Sequence, residues 1–334
     1  MNSKLLMTSL CLLVAMSGHA QFLISGIVTN KNDNTPVAFA NIGIINSSVG
    51  TCGFEDGSFK LIVPSNMINA PITFSAIGFV QHELKIDTLN LVNLIVPLEE
   101  NTAVLKEIRI TPSEEVKSDV IGQQSPGIPG FTRWGETLPS SVGGSAWATK
   151  IVMPQSVIDI KKANLHIYKN DLDSFNIRCR IMSVGEDDLP DKDLLGESVI
   201  FGSKVKKGWI SIDFTSYNFS VAEDFFLVFE WIMDKEGARL AAQHEANALP
   251  WKIPNSEIWN NSLMVYLDEN NELVKQKLTK SQREECEARE FPQTWFGIKK
   301  AKTKGTNYNR EGSTASWIEE PSFDLVAYIE YEWY

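Results

Sequence analysis

The chain is poor in the side chains that assemble reactive centres. Its 334 residues include four histidines and four cysteines, scattered along the sequence. His244-Glu245 has no second histidine at the spacing of a zinc peptidase, and no His-x-x-Glu occurs. Gly143-Gly144-Ser145-Ala146-Trp147 ends in the wrong residue for a nucleophile elbow, and no glycine-rich phosphate loop is present. An excess of basic residues is also missing: 31 Lys and Arg stand against 42 Asp and Glu, a net charge of −11 that would be repelled by nucleic acid. No internal apolar run is long enough for a transmembrane helix. Beyond the N-terminal segment only Cys52, Cys179 and Cys286 remain, an odd set that makes no disulfide framework, so the fold must rest on its hydrophobic cores.

What is present is an export signal and, after it, β-patterning. Lys4 gives a basic start, Leu5 to Ala15 an apolar core, and Gly18-His19-Ala20 the small residues before a cut at Gln21, so residues 1–20 read as a signal peptide. Cys11 lies inside that core after Leu10 rather than after a small residue, which argues against a lipid anchor. Apolar content of 43% and charged content of 22% are those of a soluble globular protein, and the length suffices for two domains with real cores.

Phe225 to Ile232 holds seven large apolar side chains in eight residues, with Glu230 as the interruption. Alternation sends Phe225, Leu227, Phe229 and Trp231 to one face and Phe226, Val228 and Ile232 to the other, the signature of a strand buried on both sides. Residues 146–334 are predicted to wrap around it. Phe175, Ile177, Cys179 and Ile181 face a core while Asn176, Arg178 and Arg180 face out. Ile210, Ile212 and Phe214 repeat the pattern against Trp209, Ser211 and Asp213.

Residues 21–110 show short alternating runs broken by turn chemistry. Strands are expected over Leu23 to Thr29, Ala40 to Ile45, Ile72 to Ser75 and Leu94 to Leu98, and Asp56-Gly57 reads as a hairpin turn into Phe59, Leu61 and Val63. With no amphipathic helix among them, these strands predict a small β-sandwich. Residues 111–145, with Pro112, Pro126, Pro129 and Pro139, read as a linker whose second half packs on the next domain.

The order Gly26-x-Val28, Pro36 with Ala40-Asn41-Ile42, Gly50-Thr51, Asp56-Gly57-x-Phe59-x-Leu61 and Ser75-x-Ile77-Gly78-Phe79 resembles the carboxypeptidase-regulatory-like domain of Bacteroidetes envelope proteins. The resemblance implies a transthyretin-like Greek key that is itself non-catalytic and often precedes an outer-membrane receptor barrel. Gly53-Phe54 departs from the Thr-Asp of many members. Leu105-Lys106-Glu107-Ile108-Arg109-Ile110 resembles the tail leading into such a barrel's plug, which has no room here. The later run through Phe175, Leu194-Leu195, Gly208-Trp209 and Phe225 is similar to an uncharacterised β-sandwich that accompanies this domain in the same proteins. The expected fold is therefore mainly β: two tandem sandwiches, the second jelly-roll-like with a helical excursion over 234–305. There Glu236 to Ala248 reads as one helix, and Ser281-x-x-Glu284 as the capping box of another.

Four features are candidates for chemistry. Glu230 is the best-placed carboxylate for glycoside hydrolysis, against the simpler reading of an ion pair with Arg178 or Arg180 on a neighbouring strand. Asp187, Asp188, Asp191 and Asp193, or Asp268 to Glu272, offer oxygens for calcium but lack the spaced loop with its central glycine. Trp251, Trp259, Trp295 and Trp317 lie in loop-like surroundings as possible glycan-stacking residues, against a role in plugging the core. The final strand, ending Trp333-Tyr334, has the aromatic finish of an outer-membrane barrel, but Glu330 and Glu332 would be costly facing lipid, so it reads as a sandwich strand. The sequence thus predicts a non-enzymatic exported envelope protein, periplasmic or associated with the outer membrane, with no cofactor, metal or nucleic acid. Its partner is an envelope protein or a polysaccharide. The alternatives are a glycan-binding accessory of polysaccharide uptake and a carboxylate-based hydrolase.

Overall fold

A computed structural model describes residues 21–47, 49–85, 91–101, 116–126, 130–133, 144–155, 157–232, 257–259, 263–267, 273–283, 294–301, 306–310 and 312–333. The signal segment, the run Leu105 to Ile110, Asp268 to Glu272 and the helix expected over Glu236 to Ala248 lie outside them.

The first sandwich is built from β1 (Gln21–Asn30), β2 (Asn41–Gly43), β3 (Gly50–Cys52), β4 (Ser58–Pro64), β5 (Ile72–Ser75), β6 (His82–Leu84) and β7 (Leu94–Leu98). One sheet has the order β4-β1-β7, with β1 and β7 parallel, and the other β3-β2-β5-β6. Alternation decides which side chains meet between them: Ile24, Val28, Phe59, Leu61, Ile42 and Phe74 are fully or almost fully buried. Phe59 and Phe74 pack edge-on at 5.4 Å, a favoured aromatic arrangement. The Asp56-Gly57 turn forms, with Gly57 at φ 73 and the Ser58 hydroxyl donating to Asp56 Oδ1 at 2.6 Å. It does not close a hairpin. Gly53 donates to Ala40 O and so keeps the end of β3 on its own sheet, while β4 pairs with β1, and the turn carries the chain from one sheet to the other.

The second sandwich uses β8 (Lys117–Gly122), β9 (Gly130–Arg133), β10 (Ala146–Ile151), β11 (Ile158–Asn170), β12 (Phe175–Val184), β13 (Pro190–Asp193), β14 (Val199–Ser203), β15 (Gly208–Asp213), β16 (Ser220–Val221) and β17 (Phe225–Ile232). It is completed by β21 (Thr294–Lys300), β22 (Asn307–Arg310), β23 (Ile318–Glu319), β24 (Phe323–Leu325) and β25 (Ala327–Trp333); between β17 and β21, β18 (Glu257–Trp259), β19 (Leu263–Leu267) and β20 (Leu273–Lys277) form a separate meander. A seven-stranded sheet runs β13-β12-β17-β10-β22-β23 with β14 on β12. An eight-stranded sheet runs β24-β21-β11-β25-β8, with β15 and β16 on β11 and β9 on β21. Consecutive strands β10, β11 and β12 fall alternately in the two sheets. Ile177, Cys179, Ile181, Phe225, Leu227 and Phe229 from one sheet meet Leu165, Ile167, Ile212, Phe296 and Ile329 from the other.

Three further expectations are corrected. The stretch read as linker supplies two strands: β8 pairs with β25 from Lys117–Trp333 to Gly122–Tyr328, and β9 pairs with β21. An edge strand needs backbone partners rather than a buried face, and β8 is almost wholly exposed, so its apolar signal is faint. The excursion after Asp234 contains strands as well, in β18 to β21. The helical turn at 280–283 is capped by Thr279, not Ser281. Thr279 Oγ1 accepts from the Gln282 amide at 3.2 Å, and Gln282 Oε1 accepts from the Thr279 amide at 2.9 Å, a reciprocal capping box that begins two residues earlier than expected.

β17 is buried along its entire length. One face is the sandwich core. The opposite face lies under a layer of charged side chains and under the first domain, which is the region the sequence marked with Glu230.

Candidate functional site: a buried charge cluster between the domains

Register brings the cluster together. Arg310 of β22 stands opposite Ala146 of β10, Ala146 opposite Glu230 of β17, and Glu230 opposite Arg178 of β12, a single row across four strands. Ala146 ends at its Cβ, so Arg310 reaches over it toward the carboxylate. Glu230 Oε2 takes Arg180 Nη1 at 3.1 Å and Arg178 Nη1 at 3.4 Å, and Oε1 faces Arg310 Nη2 at 3.6 Å. Arg180 is also forked onto Asp193 Oδ2, through Nε at 2.8 Å and through Nη2. The Glu230 side chain has no exposed surface, and those of Arg178, Arg180 and Arg310 are 3%, 10% and 9% exposed. The cross-strand pair read from the sequence is therefore present, extended to three guanidinium groups.

Burial alone would push the Glu230 carboxyl up, but the combined field of Arg178, Arg180 and Arg310 outweighs it and holds the group below the usual carboxylate range. For Arg180, burial works against the charge, and Asp193 with Glu230 more than restores it. Arg310 fares differently: burial pulls it down to about 10, and Glu230 offsets only part of that. Its Nε and Nη2 make no hydrogen bond, and its guanidinium instead lies over the Trp317 ring at 4.8 Å. A carboxylate sealed in this way is poorly suited to donate a proton to a substrate. Glu230 and Asp193 converge on Arg180 rather than on an open cleft.

The cluster continues into the first domain. Arg178 Nη2 donates to Phe39 O, Nη1 approaches Asn41 Oδ1 at 3.4 Å, and Nη2 lies 3.8 Å from Cys52 Sγ. Burial pushes the Cys52 thiol up to about 12, so it sits there as a neutral packing group. Beside it, Ser313 Oγ is 2.8 Å from Thr51 O and 3.2 Å from Ile42 O, and the Asn46 amide donates to Thr314 O at 3.0 Å. A Cβ on Gly43 or Gly50 would come within 2.4 or 2.8 Å of Thr314 Oγ1, so this approach requires glycine at both positions. β2 and β3 are buried on both faces as a result.

The other sequence candidates fall elsewhere. In the acidic turn Asp188 pairs with Lys150 at 2.6 Å and Asp193 with Arg180, so two of its carboxylates already face cations. No group of three potential metal ligands occurs among the described residues. Trp251 lies outside them, and Trp259 and Trp295 fall in β18 and β21 with side chains also outside them. Trp317 is half-buried against the core with Arg310 over its ring at 4.8 Å. β25 pairs with β11 and β8, as a sandwich strand does.

Sequence reading alone misses Arg310, whose register with β10 joins distant segments, and Ser313. It also misses an aromatic group on the outward face of the eight-stranded sheet. There Trp209 packs edge-on against His166 at 5.2 Å and against Tyr328 at 5.0 Å. Its signal was the outward phase of Trp209 and Tyr328 in strands whose alternate residues are buried.

Parts of the chain are similar to known proteins. Residues 24–110 match the family model of the CarboxypepD_reg-like domain. TonB-dependent receptor P3 of Formosa agariphila is 31% identical over 103 residues, which are 30% of this chain and 10% of the receptor. The chain thus spans about a tenth of the length of that curated relative. Among solved structures, the cysteine protease and lectin-like domains of Cwp84, a surface layer associated protein of Clostridium difficile, align over 93% of this chain and 58% of that one at 9% identity and a TM-score of 0.33. A second structure of the clostridial cysteine protease Cwp84, after propeptide cleavage, aligns over 95% and 72% at 9% identity and 0.32. No helix among the described residues is long and apolar enough to cross a membrane. Residues 24–110 are thus similar to a CarboxypepD_reg-like domain, and in the same chain they are joined to a second and larger β-sandwich.

Proposed function

We propose that this is a non-enzymatic exported protein of the cell envelope, whose two β-sandwiches are docked into one unit that binds or assembles with another envelope component. The observation behind this reading is the use made of Glu230: the carboxylate best placed for catalysis is spent on the joint between the domains, ringed by Arg178, Arg180 and Arg310. The CarboxypepD_reg-like match and the receptor relative favour an envelope setting. On this reading the protein needs no cofactor and contacts no nucleic acid. Fractionation of the envelope combined with chemical crosslinking tests it. A discrete crosslinked partner in the envelope fraction, retained in Glu230→Gln protein that still folds, is the expected result. A turnover abolished by Glu230→Gln with folding intact would overturn it.

A further inference from the structure

The outward face of the eight-stranded sheet has the composition of a ligand platform. Pairing aligns three outward positions into successive rows: His166 with Trp209, Asn164 with Tyr328 and Ser211, and Lys162 with Glu330 and Asp213. The first two rows carry the aromatic rings and the third carries hydrogen-bonding groups. Trp209 and Tyr328 are half-buried and Ser211 is exposed, so this face reaches solvent, whereas His166 and Asn164 form its floor. Gly297 lies beside His166, and a Cβ there would come within 2.6 Å of His166 Nδ1, so the absent side chain is what lets the imidazole settle onto the neighbouring strand. His166 Nδ1 is buried against Gly297 without a hydrogen-bond partner.

The charges indicate what fits. Glu330 accepts from Asn164 at 3.2 Å and pairs with Lys162 at 3.3 Å, and Lys161 pairs with Glu332 at 3.1 Å. Lys161 and Lys162 already face carboxylates and Lys207 lies over the Tyr168 ring at 5.3 Å, so an anionic ligand would have to displace one of these partners. A second protein would need a larger continuous apolar patch than two half-buried rings. A neutral sugar needs what is present: an aromatic surface for its C–H face, and adjacent donors and acceptors for its hydroxyls. We propose that this face binds a neutral polysaccharide, with Trp209 and Tyr328 as stacking residues and Lys162 and Glu330 as hydrogen-bonding residues. The proposal goes beyond two docked modules and stands or falls separately from them.

Affinity electrophoresis of the mature full-length protein through gels containing laminarin, xylan, galactomannan or galactan tests the site. Retardation by at least one polymer is expected. Trp209→Ala and Tyr328→Ala should each weaken it about tenfold or more, the loss typical of a truncated aromatic anchor. Ser211→Arg, at an exposed position that leaves the core untouched, should abolish it by occupying the platform, and Ile95→Ser on the first domain should leave it unchanged. No retardation by any of the four polymers, or retardation that survives Ser211→Arg, overturns the proposal. Shortening of a polymer during incubation would instead overturn the non-enzymatic reading and leave the site standing.

Discussion

The two outward faces of the second sandwich use similar charges in opposite ways. On the seven-stranded sheet, Glu230 is fully buried among Arg178, Arg180 and Arg310 beneath the first domain. On the eight-stranded sheet, Glu330 and Glu332 pair with Lys162 and Lys161, with side chains from 27% to 45% exposed. Arginine, weakly hydrated and able to hold several acceptors in one plane, suits the covered face, and lysine, strongly hydrated, suits the open one. Arg178 bonds Glu230 and two groups of the first domain at once, which an ammonium group cannot arrange in a plane. A face whose carboxylate is ringed by arginines is built to be covered, and one whose carboxylates meet lysines is built to stay wet.

That contrast can be broken in order of expected effect. Glu230→Gln leaves three buried guanidinium groups with Asp193 alone, and should cost about 3–5 kcal/mol in chemical denaturation. Arg178→Met should cost less globally, about 2–3 kcal/mol, because Glu230 keeps two partners. Acid acts on the same point. The folded pKa of Glu230 is depressed, so its stabilisation is present above the unfolded value of about 4.3 and disappears as pH falls through the lower folded value. Denaturation midpoints should therefore fall below about pH 4, and less steeply in Glu230→Gln. Ser313→Ala removes the donor to Thr51 O and should cost about 1 kcal/mol. Glu330→Gln, the open-face counterpart, should change stability by less than about 1 kcal/mol, and a loss equal to that of Glu230→Gln would erase the distinction between the faces.

Much of this was legible because strand alternation is strict. Phe225 to Ile232 is buried on both faces, as its composition required, and Arg178 and Arg180 stand in the outward phase of a neighbouring long strand, so their pairing with Glu230 could be read. The cover over that face could not. Outward phase looks the same whether water or another domain lies beyond it, and the contacts of Arg178 with Phe39 and Asn41 join residues more than a hundred positions apart. β8 went unread because an edge strand buries little. Loop-like surroundings single out tryptophans such as Trp251 as stacking residues, whereas Trp209 and Tyr328 lie on strands and become neighbours through β11.

The Asn46 amide is the most direct witness to docking. It belongs to an exposed turn of the first domain, yet it donates to Thr314 O of the second at 3.0 Å. Hydrogen exchange at Asn46 should be slow in the native protein and accelerate in Arg178→Met, while core amides such as Phe59 and Phe229 stay protected. An Asn46 amide that exchanges at the rate of an unstructured turn in the native protein would contradict the docked unit.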